Sequence, residues 1–514
     1  MHNNKIHEEV IGMWRKSYLV GLLVVVLFSW LSWGQAGYEY VVPAATTLEA
    51  IAQETLGDAA YAPAIMRATN AKSLADPAYL KIRTLDMAIP AGAKLWVPER
   101  AWAEAFVAFW DPNRPEDLFG GGKLVVGSWW TAGGEAEGLN ALFEIYDEYY
   151  PDVQIVNATI AGGAGFVFRA VIKPRLIAGD PPDTFQLHAG LEVEGYSPET
   201  YLTPLDKLFE IMGWTEVLPK DLLDLLLYKG HFWGVPVNIH RANVLWYDKA
   251  IFEKYGLTPP ENWDEFFAIC EKLKAEGVVP FVMGNAGGWE AAHLFETILI
   301  STLGAEGYKG LWTGETPWSS EGVTEALEIL KKILDYVNPD YAALSWDGAG
   351  EYLIAHKGAM MIMGDWTNGW FMAKGYEDYG WAPVPGTRGI FDALSDTFCL
   401  PKRAPNPINA LGWLMVCGSK EGQIAFNTRK GSIPARTDLT AEEKAQFNAY
   451  LQSCMDDFAR DAIVPSVIHG AAAIESWVTD FKDAVNLFLA TKDVAGTQRA
   501  LVEAAEAALA AMGQ

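Results

Sequence analysis

Apolar and polar positions along the chain follow two alternating periods. Short apolar runs of strand length, at 123–130, 153–157 and 184–187, are separated by segments with the spacing of amphipathic helices, at 136–149 and 166–178. Strands that alternate with helices are typical of an open, mostly parallel α/β sheet. The pattern therefore predicts that an α/β lobe begins with the first of these strands.

A second lobe is predicted where this alternation changes. The apolar segment 232–240 ends in polar residues and suits a crossing between lobes, and three helical segments follow it, at 263–276, 291–303 and 321–337. A buried strand at 359–366 leads back, and extended segments near 380–400 suit a second crossing. We expect the first lobe to hold residues 123–238 and 366–395, and the second to hold residues 239–365 and 396–514.

The strand at 184–187 ends in polar side chains. Gln186 and His188 are two positions apart and so project from the same face, and Gly190 then turns the chain. Ligand sites of α/β sheets lie beyond the carboxyl ends of the strands. This stretch is therefore a candidate ligand site, although Gln186 and His188 could instead only satisfy the polar groups of a loop.

The first 36 residues have the features of an export signal. Arg15 and Lys16 precede the apolar run 18–28, which is short for the ~20 residues of a bilayer span, and Ala36 ends a small-residue pattern suited to cleavage. An uncleaved anchor is the alternative. Both interpretations predict a periplasmic or other extracytoplasmic location.

Residues 37–99 form a separate α+β unit with the order strand, helix, helix, strand. This unit resembles the lysin motif and departs from it at Ala45 and Thr46, where that family has Gly-Asp. The resemblance implies binding of N-acetylglucosamine chains, and hence peptidoglycan as a partner through residues 38–99; a retained fold without affinity is the alternative. The positions of this sequence that match the lysin motif are Val41, Leu48, Ile51, Ala52, Gly57, Ile65, Asn70, Ile89, Pro90, Gly92, Leu95, Val97 and Pro98.

Residues 100–122 contain two prolines, Pro112 and Pro115, and three successive glycines, which predict a linker.

Charge and composition narrow the class of ligand. The formal net charge of −26 argues against nucleic acid or anionic lipid as the main partner, because both would repel the protein. The 21 tryptophans suit a neutral polyhydroxyl ligand whose C–H faces stack on indole rings. The four cysteines lack a CxxC spacing and indicate neither a zinc cluster nor a redox motif. They are either buried free thiols or include a bridge between Cys399 and Cys417.

Seven short motifs from residue 123 to the C-terminus occur in an order that resembles the extracellular solute-binding proteins of bacterial ABC importers, most closely the glucose-binding members. The motifs lie at 128–130, 161–165, 179–186, 236–241, 364–366, 430–433 and 469–470. The resemblance implies a two-lobed periplasmic-binding-protein fold of type II, with a hinge and an interlobe cleft. It also implies a monosaccharide ligand of glucose or galactose type and an ABC permease as partner. We expect a monomer that uses no cofactor and no metal.

A hexose offers paired hydroxyls and an apolar ring face, which suit charged or planar polar groups and aromatic planes respectively. We expect Trp129, Glu135 and Gln186 on one side of the sugar and Trp289 and Lys430 on the other. The full set of predicted binding residues is Trp129, Trp130, Glu135, Gln186, His188, His240, Trp289, His293, Asp365, Trp366, Lys430 and His469.

Several of these residues also have a purely structural interpretation. Asp365 could cap the turn that follows it, Trp289 could be a core residue, and His469 could be an ordinary loop residue. At the level of function, Glu135 and Asp365 could be the paired carboxylates of a cell-wall glycosidase. A sugar sensor for a signalling protein would use the same cleft with a different partner.

Overall fold

The structure is a computed structural model that describes residues 36–513. Within this part of the chain, no helix combines the length and the apolar character that a membrane span requires. The export signal predicted for residues 1–36 lies outside the described residues, apart from its last position.

The first described unit has two strands with two helices between them. Strand Gly37–Val41 pairs antiparallel with strand Lys94–Pro98, and helices Leu48–Leu56 and Ala62–Ala75 lie between them in the chain. The first helix begins at a cap, because the Thr47 side chain accepts a hydrogen bond from the backbone N–H of Ala50 at 3.3 Å. The predicted order of elements is therefore observed.

The predicted linker begins with a helix that packs on the body of the protein. In helix Arg100–Phe109, Trp102 and Phe106 are buried, and Trp102 Nε1 donates a hydrogen bond to the Tyr150 hydroxyl at 3.2 Å. Arg67 Nη2, from the preceding unit, donates to Asn409 Oδ1 at 3.0 Å. Residues 100–109 are thus a helix that is docked on the body of the protein and helps to fix the N-terminal unit there.

A five-stranded mixed sheet forms the first lobe. Strand Thr184–His188 is buried at all five positions, as expected for a strand covered by helices on both faces. In sheet order the strands are Gln154–Asn157, Lys123–Gly127, Thr184–His188, Asp396–Cys399 and Val235–Pro236. The helices of the two chain segments that form this lobe are Gly133–Tyr149, Phe166–Ala178, Pro198–Tyr201, Asp206–Met212, Trp214–Val217, Lys220–Leu226, Pro407–Gly418 and Lys420–Lys430. A two-stranded hairpin pairs Leu227–Tyr228 with His231–Phe232.

A four-stranded sheet forms the second lobe. In sheet order its strands are Val279–Phe281, Gly358–Ile362, Val244–Asp248 and Tyr379–Pro383. The remaining helices, in chain order, are Lys249–Tyr255, Trp263–Ala275, Glu290–Thr313, Glu321–Ile333, Trp346–Ile354, Trp366–Ala373, Ala441–Lys444, Ala449–Phe458, Glu475–Thr491 and Val494–Ala511.

A third, three-stranded sheet lies where the chain passes between the lobes. Its strands, in sheet order, are Ala462–Pro465, Ile390–Leu394 and His240–Arg241. Strand His240–Arg241 follows the last strand of the first-lobe sheet, and strand Ile390–Leu394 leads through Ser395 directly into Asp396–Cys399. These two short passages connect the lobes, as does the segment between helices Lys420–Lys430 and Ala441–Lys444, and the cavity described below lies beside the first two.

Two strands lie in the lobes opposite to those predicted. Strand Tyr379–Pro383 pairs with Val244–Asp248 in the second sheet, and strand Asp396–Cys399 pairs with Thr184–His188 in the first. The predicted boundary between 366–395 and 396–514 is therefore wrong. A uniformly buried strand carries no alternating pattern that specifies its neighbour, so its sequence alone does not select the sheet.

The cysteines of the described chain are all free and buried. Burial raises the pKa of Cys399 and Cys417 well above the ordinary value, so both remain protonated thiols at neutral pH. Of the two interpretations of the cysteines, the structure agrees with buried thiols.

Candidate functional site

A cavity of about 370 Å³ lies between the two lobes and is lined by both. Nine of the twelve predicted residues line it, and the other three lie behind its wall. The nine are Trp129, Trp130, Glu135, His188, His240, Trp289, Trp366, Lys430 and His469. The cavity is also lined by Thr131, Ala132, Gly162, Gly163, Ala164, Ala286, Gly287, Glu290, Ser345, Trp346, Asp347, Trp370, Leu394 and Asp396.

Indole rings from both lobes form much of the wall. Trp129 and Trp130 follow the first strand of the first lobe at its carboxyl end, with ring centroids 6.5 Å apart. In the second lobe, Trp289 and Trp366 have centroids 6.0 Å apart, and the His469 ring lies 5.2 Å from Trp366. All four indoles are nearly buried, so their faces are held in fixed positions around the cavity.

Gln186 positions the cavity wall and does not line the cavity. Its Oε1 accepts hydrogen bonds from Ser128 Oγ at 2.5 Å and from the Trp129 backbone N–H at 3.3 Å. Its Nε2 donates to Asp396 Oδ1 at 2.7 Å. The prediction that Gln186 contacts the ligand is corrected: the residue is fully buried and holds Trp129 and Asp396 in place.

His188 is held by a buried carboxylate. Its Nδ1 lies 2.6 Å from Glu192 Oε2, and Arg169 Nη1 donates to the same oxygen. Burial alone would raise the pKa of Glu192, but the charge of Arg169 and the contacts with His188 lower it to about 2. Glu192 is therefore ionised at neutral pH and fixes the ring of His188 at the cavity, with Nε2 3.7 Å from Asp396 Oδ1.

The prediction that Asp365 contacts the ligand is also corrected, because this residue lies behind the cavity wall. It accepts hydrogen bonds from His240 Nδ1 and, at 2.8 Å, from the Arg241 backbone N–H, and its side chain does not cap the following helix. Burial acts to lower the pKa of His240, but the Asp365 carboxylate raises it above the ordinary value. Asp365 thus acts on the cavity through His240. Since Asp365 is outside the cavity, Glu135 and Asp365 cannot flank one glycosidic bond there.

Asp396 is a cavity residue that the sequence reasoning missed. Its Oδ2 lies 3.3 Å from His240 Nε2, which has no hydrogen-bond partner among residues 36–513. Burial would raise the pKa of Asp396, but His240, His188 and Lys430 hold it below the ordinary value. The residue follows Ser395 within a segment predicted as a crossing between lobes, and a charged residue in such a segment was the available signal.

Lys430 lies on the first-lobe side of the cavity, contrary to the prediction. Its Nζ is 3.0 Å from Glu135 Oε1, and helix Lys420–Lys430 packs on helix Gly133–Tyr149. The ammonium group also lies 5.7 Å from the Trp130 ring centroid and 6.0 Å from that of Trp366. Lys430 and Glu135 therefore form one charged pair, and only 2% of the lysine side chain is exposed.

His293 is fully buried beneath the cavity, so the prediction that it contacts the ligand is also corrected. Its ring lies 5.9 Å from Trp289, 5.6 Å from Trp366 and 5.6 Å from His469. His469 does line the cavity, and its Nδ1 lies 2.8 Å from Ser466 Oγ. Burial lowers the pKa of His293 to about 3 and that of His469 well below the ordinary value, so both rings are neutral at pH 7.

The lobes approach each other closely at glycines. A Cβ atom on Gly163 of the first lobe would lie 2.4 Å from Trp289 Nε1 of the second. A Cβ atom on Gly369, in helix Trp366–Ala373, would lie 2.2 Å from the backbone oxygen of Lys430. Neither approach is open to a residue with a larger side chain, so these contacts depend on glycine. Trp346 and Trp370 also line the cavity, and their sequence surroundings carry no signal for it.

Two α/β lobes that are joined by short strands and enclose an aromatic, charged cavity define a two-lobed binding protein of the periplasmic type. Residues 124–424, more than half of the chain, match the model of the family described as bacterial extracellular solute-binding protein. The protein belongs to this family.

Relatives and solved structures agree with this assignment. An uncharacterized ABC transporter extracellular-binding protein of Pyrococcus horikoshii is 38% identical over 72% of this chain and 85% of its own length. The xylose/arabinose-binding protein XacG of Haloferax volcanii is 30% identical over 74% of this chain and 84% of its own. The crystal structure of the solute receptor AcbH, whose reported preference is β-D-galactopyranose, has a TM-score of 0.68 and 20% identity, covering 76% of this chain and 100% of that one. At this identity, the likeness to AcbH shows the fold alone.

Proposed function

We propose that this protein is the extracytoplasmic sugar-binding receptor of an ABC transporter, which encloses a monosaccharide of glucose or galactose type and presents it to a membrane permease. Membership of the solute-binding family supports the receptor role. Relatives named as ABC transporter extracellular-binding and xylose/arabinose-binding proteins support the transporter and the sugar. The predicted export signal is consistent with an extracytoplasmic location.

One observation carries the choice of a sugar: the cavity combines indole faces with charged hydrogen-bonding groups. Trp129 and Trp289 line the cavity from different lobes, and Glu135, Lys430 and Asp396 line the same cavity. Sugar C–H faces stack on indole, and vicinal hydroxyls suit carboxylates that accept two hydrogen bonds and an ammonium that donates. A strongly apolar ligand would offer these groups no hydrogen bonds, and a strongly anionic ligand would be repelled by the carboxylates of Glu135 and Asp396.

Cavity size supports a small sugar. Small-molecule sites span roughly 300–1,000 Å³, and the cavity of about 370 Å³ lies at the lower end of that range. One structure with a similar fold is that of a chitin oligosaccharide binding protein, with a TM-score of 0.66 and 18% identity. A longer ligand is therefore the alternative that the sugar panel must test.

The test is a thermal-shift panel of hexoses, pentoses, disaccharides and longer oligosaccharides on the purified protein, followed by calorimetric titration of each sugar that raises Tm. We expect one monosaccharide to stabilise the folded state by about 2.7 kcal/mol at a concentration of 100 times its Kd. Small-angle scattering should show compaction with the same sugar. No shift and no compaction with any sugar would refute the proposal, and selective stabilisation by oligosaccharides would refute the monosaccharide.

A matched pair of variants tests the site. Trp129→Phe removes part of an indole face at the cavity and should weaken binding of the selected sugar by ~2–13-fold, the equivalent of the roughly 0.5–1.5 kcal/mol of an aromatic contact. Trp263→Phe makes the same change on the second lobe away from the cavity and should leave the affinity unchanged. Equal affinities of the two variants would contradict the assigned cavity. Uptake of labelled sugar by cells lacking the receptor gene distinguishes transport from sensing.

We also propose that residues 38–99 are a lysin-motif-like unit that contacts peptidoglycan. The support is the order strand, helix, helix, strand, with the strands paired antiparallel. Co-sedimentation of the whole protein with purified cell walls tests this contact, and N-acetylglucosamine oligomers should compete for it. If the protein stays in the supernatant, the unit serves only as a docked structural element.

A further inference from the structure

A second group of chemistry-bearing side chains extends from the cavity wall at His469 into the interior of the second lobe. His293 and Glu296 are one turn apart on helix Glu290–Thr313, and His469 comes from the loop after strand Ala462–Pro465. Each residue offers one ligand atom, and these atoms all lie within 4.8 Å of one another. The three side chains are 0%, 0% and 3% exposed, so they form a buried cluster and not a solvated surface patch.

Two members of this region lack the partners that burial demands. Neither ring nitrogen of His293 has a hydrogen-bond partner among the described residues. The Asp392 carboxyl group is buried as well, and neither of its oxygens has a hydrogen-bond partner in the described chain. Buried polar atoms are almost always satisfied. A buried imidazole without a hydrogen-bond partner, next to the buried Glu296 carboxyl group, is therefore an arrangement that a cation would complete.

The candidate ligands are already oriented by a surrounding layer of hydrogen bonds. His469 Nδ1 lies 2.8 Å from Ser466 Oγ, which leaves Nε2 as the nitrogen available to a metal ion. Glu296 Oε1 accepts a hydrogen bond from the Tyr308 hydroxyl at 2.7 Å, and its Oε2 lies 3.3 Å from the Ile468 backbone N–H. Metal-binding histidines and carboxylates are characteristically fixed by such partners.

We propose that His293, Glu296 and His469 form a binding site for a divalent transition-metal ion, with zinc as the best match. Two imidazoles and one carboxylate are a known ligand set for zinc, and the ion would retain a fourth position for water or another ligand. The site is chemically distinct from the charged wall formed by Glu135 and Lys430.

A metal ion here would act on the sugar cavity through His469. It would tie helix Glu290–Thr313 to the loop at 466–470, and that loop also contacts the first lobe, where the Glu192 backbone N–H donates to the Gly470 oxygen at 2.9 Å. Fixing this loop would hold the His469 ring in place at the cavity wall. The metal site would therefore stiffen the region where the two lobes meet.

The experiment uses the whole protein, freed of metal by a chelator and titrated without sugar. We expect one equivalent of Zn²⁺ to bind in calorimetry and to raise Tm, and Co²⁺ to give the visible ligand-field spectrum of a low-coordinate site with nitrogen ligands. Failure of both ions to bind at one equivalent would overturn the proposal. Because no sugar is present, this result is independent of the proposed transport function.

Two variants locate the site. Glu296→Gln keeps the shape of the side chain and should weaken Zn²⁺ binding by more than the roughly 10–100-fold cost of changing only a hydrogen-bond partner of a ligand. His231→Gln removes a histidine that contacts Asp206 on the exposed surface, and it should leave Zn²⁺ binding unchanged. The reverse pattern would overturn the assignment. If Glu296→Gln does not fold, the Co²⁺ spectrum of the unaltered protein, compared with that of His293→Gln, decides.

Discussion

Closure of the lobes should depend on Gly369. In helix Trp366–Ala373, this residue faces the carboxyl end of helix Lys420–Lys430, and a Cβ atom would lie 2.2 Å from the Lys430 backbone oxygen and 2.9 Å from that of Arg429. These neighbours are backbone atoms, which cannot rotate away as a side chain can. Gly369→Ala should therefore disfavour the closed arrangement.

The expected magnitude follows from the cost of overpacking. Inserting a methyl group into a well-packed contact costs about 1–3 kcal/mol. If the contact forms only on closure, that cost appears in ligand binding, and the affinity for the selected sugar falls by ~5–150-fold. Calorimetric titration measures the affinity, and small-angle scattering measures the compaction that accompanies it.

The matched control is Gly350→Ala, in helix Trp346–Ile354 of the same lobe. A Cβ atom there would meet its nearest neighbour, Trp370 Cδ1, at 3.6 Å, which is an ordinary contact, so the affinity should stay within about twofold. Two results would refute the reasoning for Gly369→Ala. One is an affinity equal to that of the control. The other is a lower Tm of the sugar-free variant, because the contact would then exist before closure.

Three further outcomes are expected. Lys430→Met removes the ammonium group from the cavity and should weaken sugar binding by roughly 10–150-fold, as measured by calorimetry. This range is the equivalent of about 1.5–3 kcal/mol for a charge-assisted hydrogen bond. An unchanged Kd would contradict the assigned role of Lys430. The pKa of Glu192 is lowered from 4.5 to about 2, so it contributes stability above pH 4.5 that is lost as pH falls toward 2. This loss is about 3 kcal/mol, and urea unfolding should show a shallower dependence on pH in Glu192→Gln. Thiol titration after unfolding without reductant should find all four cysteines reactive, since none is bridged in the described chain.

Much of the fold could be predicted because its signals are local. The helix Phe166–Ala178 and the strand Thr184–His188 occur where the apolar periods indicated, within one residue. The assignment of strand Asp396–Cys399 failed because pairing depends on a partner about 210 residues away, at Thr184–His188. No local pattern in a fully buried strand encodes such a partner.

The site was predictable in part for a similar reason. Residues at the carboxyl ends of strands, such as Trp129 and His188, are placed by local structure, and they do line the cavity. Whether a polar side chain faces the cavity or lies one layer behind it depends on packing. Asp365 reaches the cavity only through His240, and Asp396 takes the position at the wall that we expected Asp365 to occupy.

By itself, the sequence determined the type and order of the elements, the family, and the kinds of side chain that the site would contain. These follow from periodicity and residue chemistry, which act over a few neighbouring positions. Only the tertiary structure decided which lobe each strand joins, that Lys430 pairs with Glu135 on one side of the cavity, and that His293, Glu296 and His469 meet beside it. The reason is physical: such contacts join residues distant in the chain, and they form only when burial of both lobes brings them together.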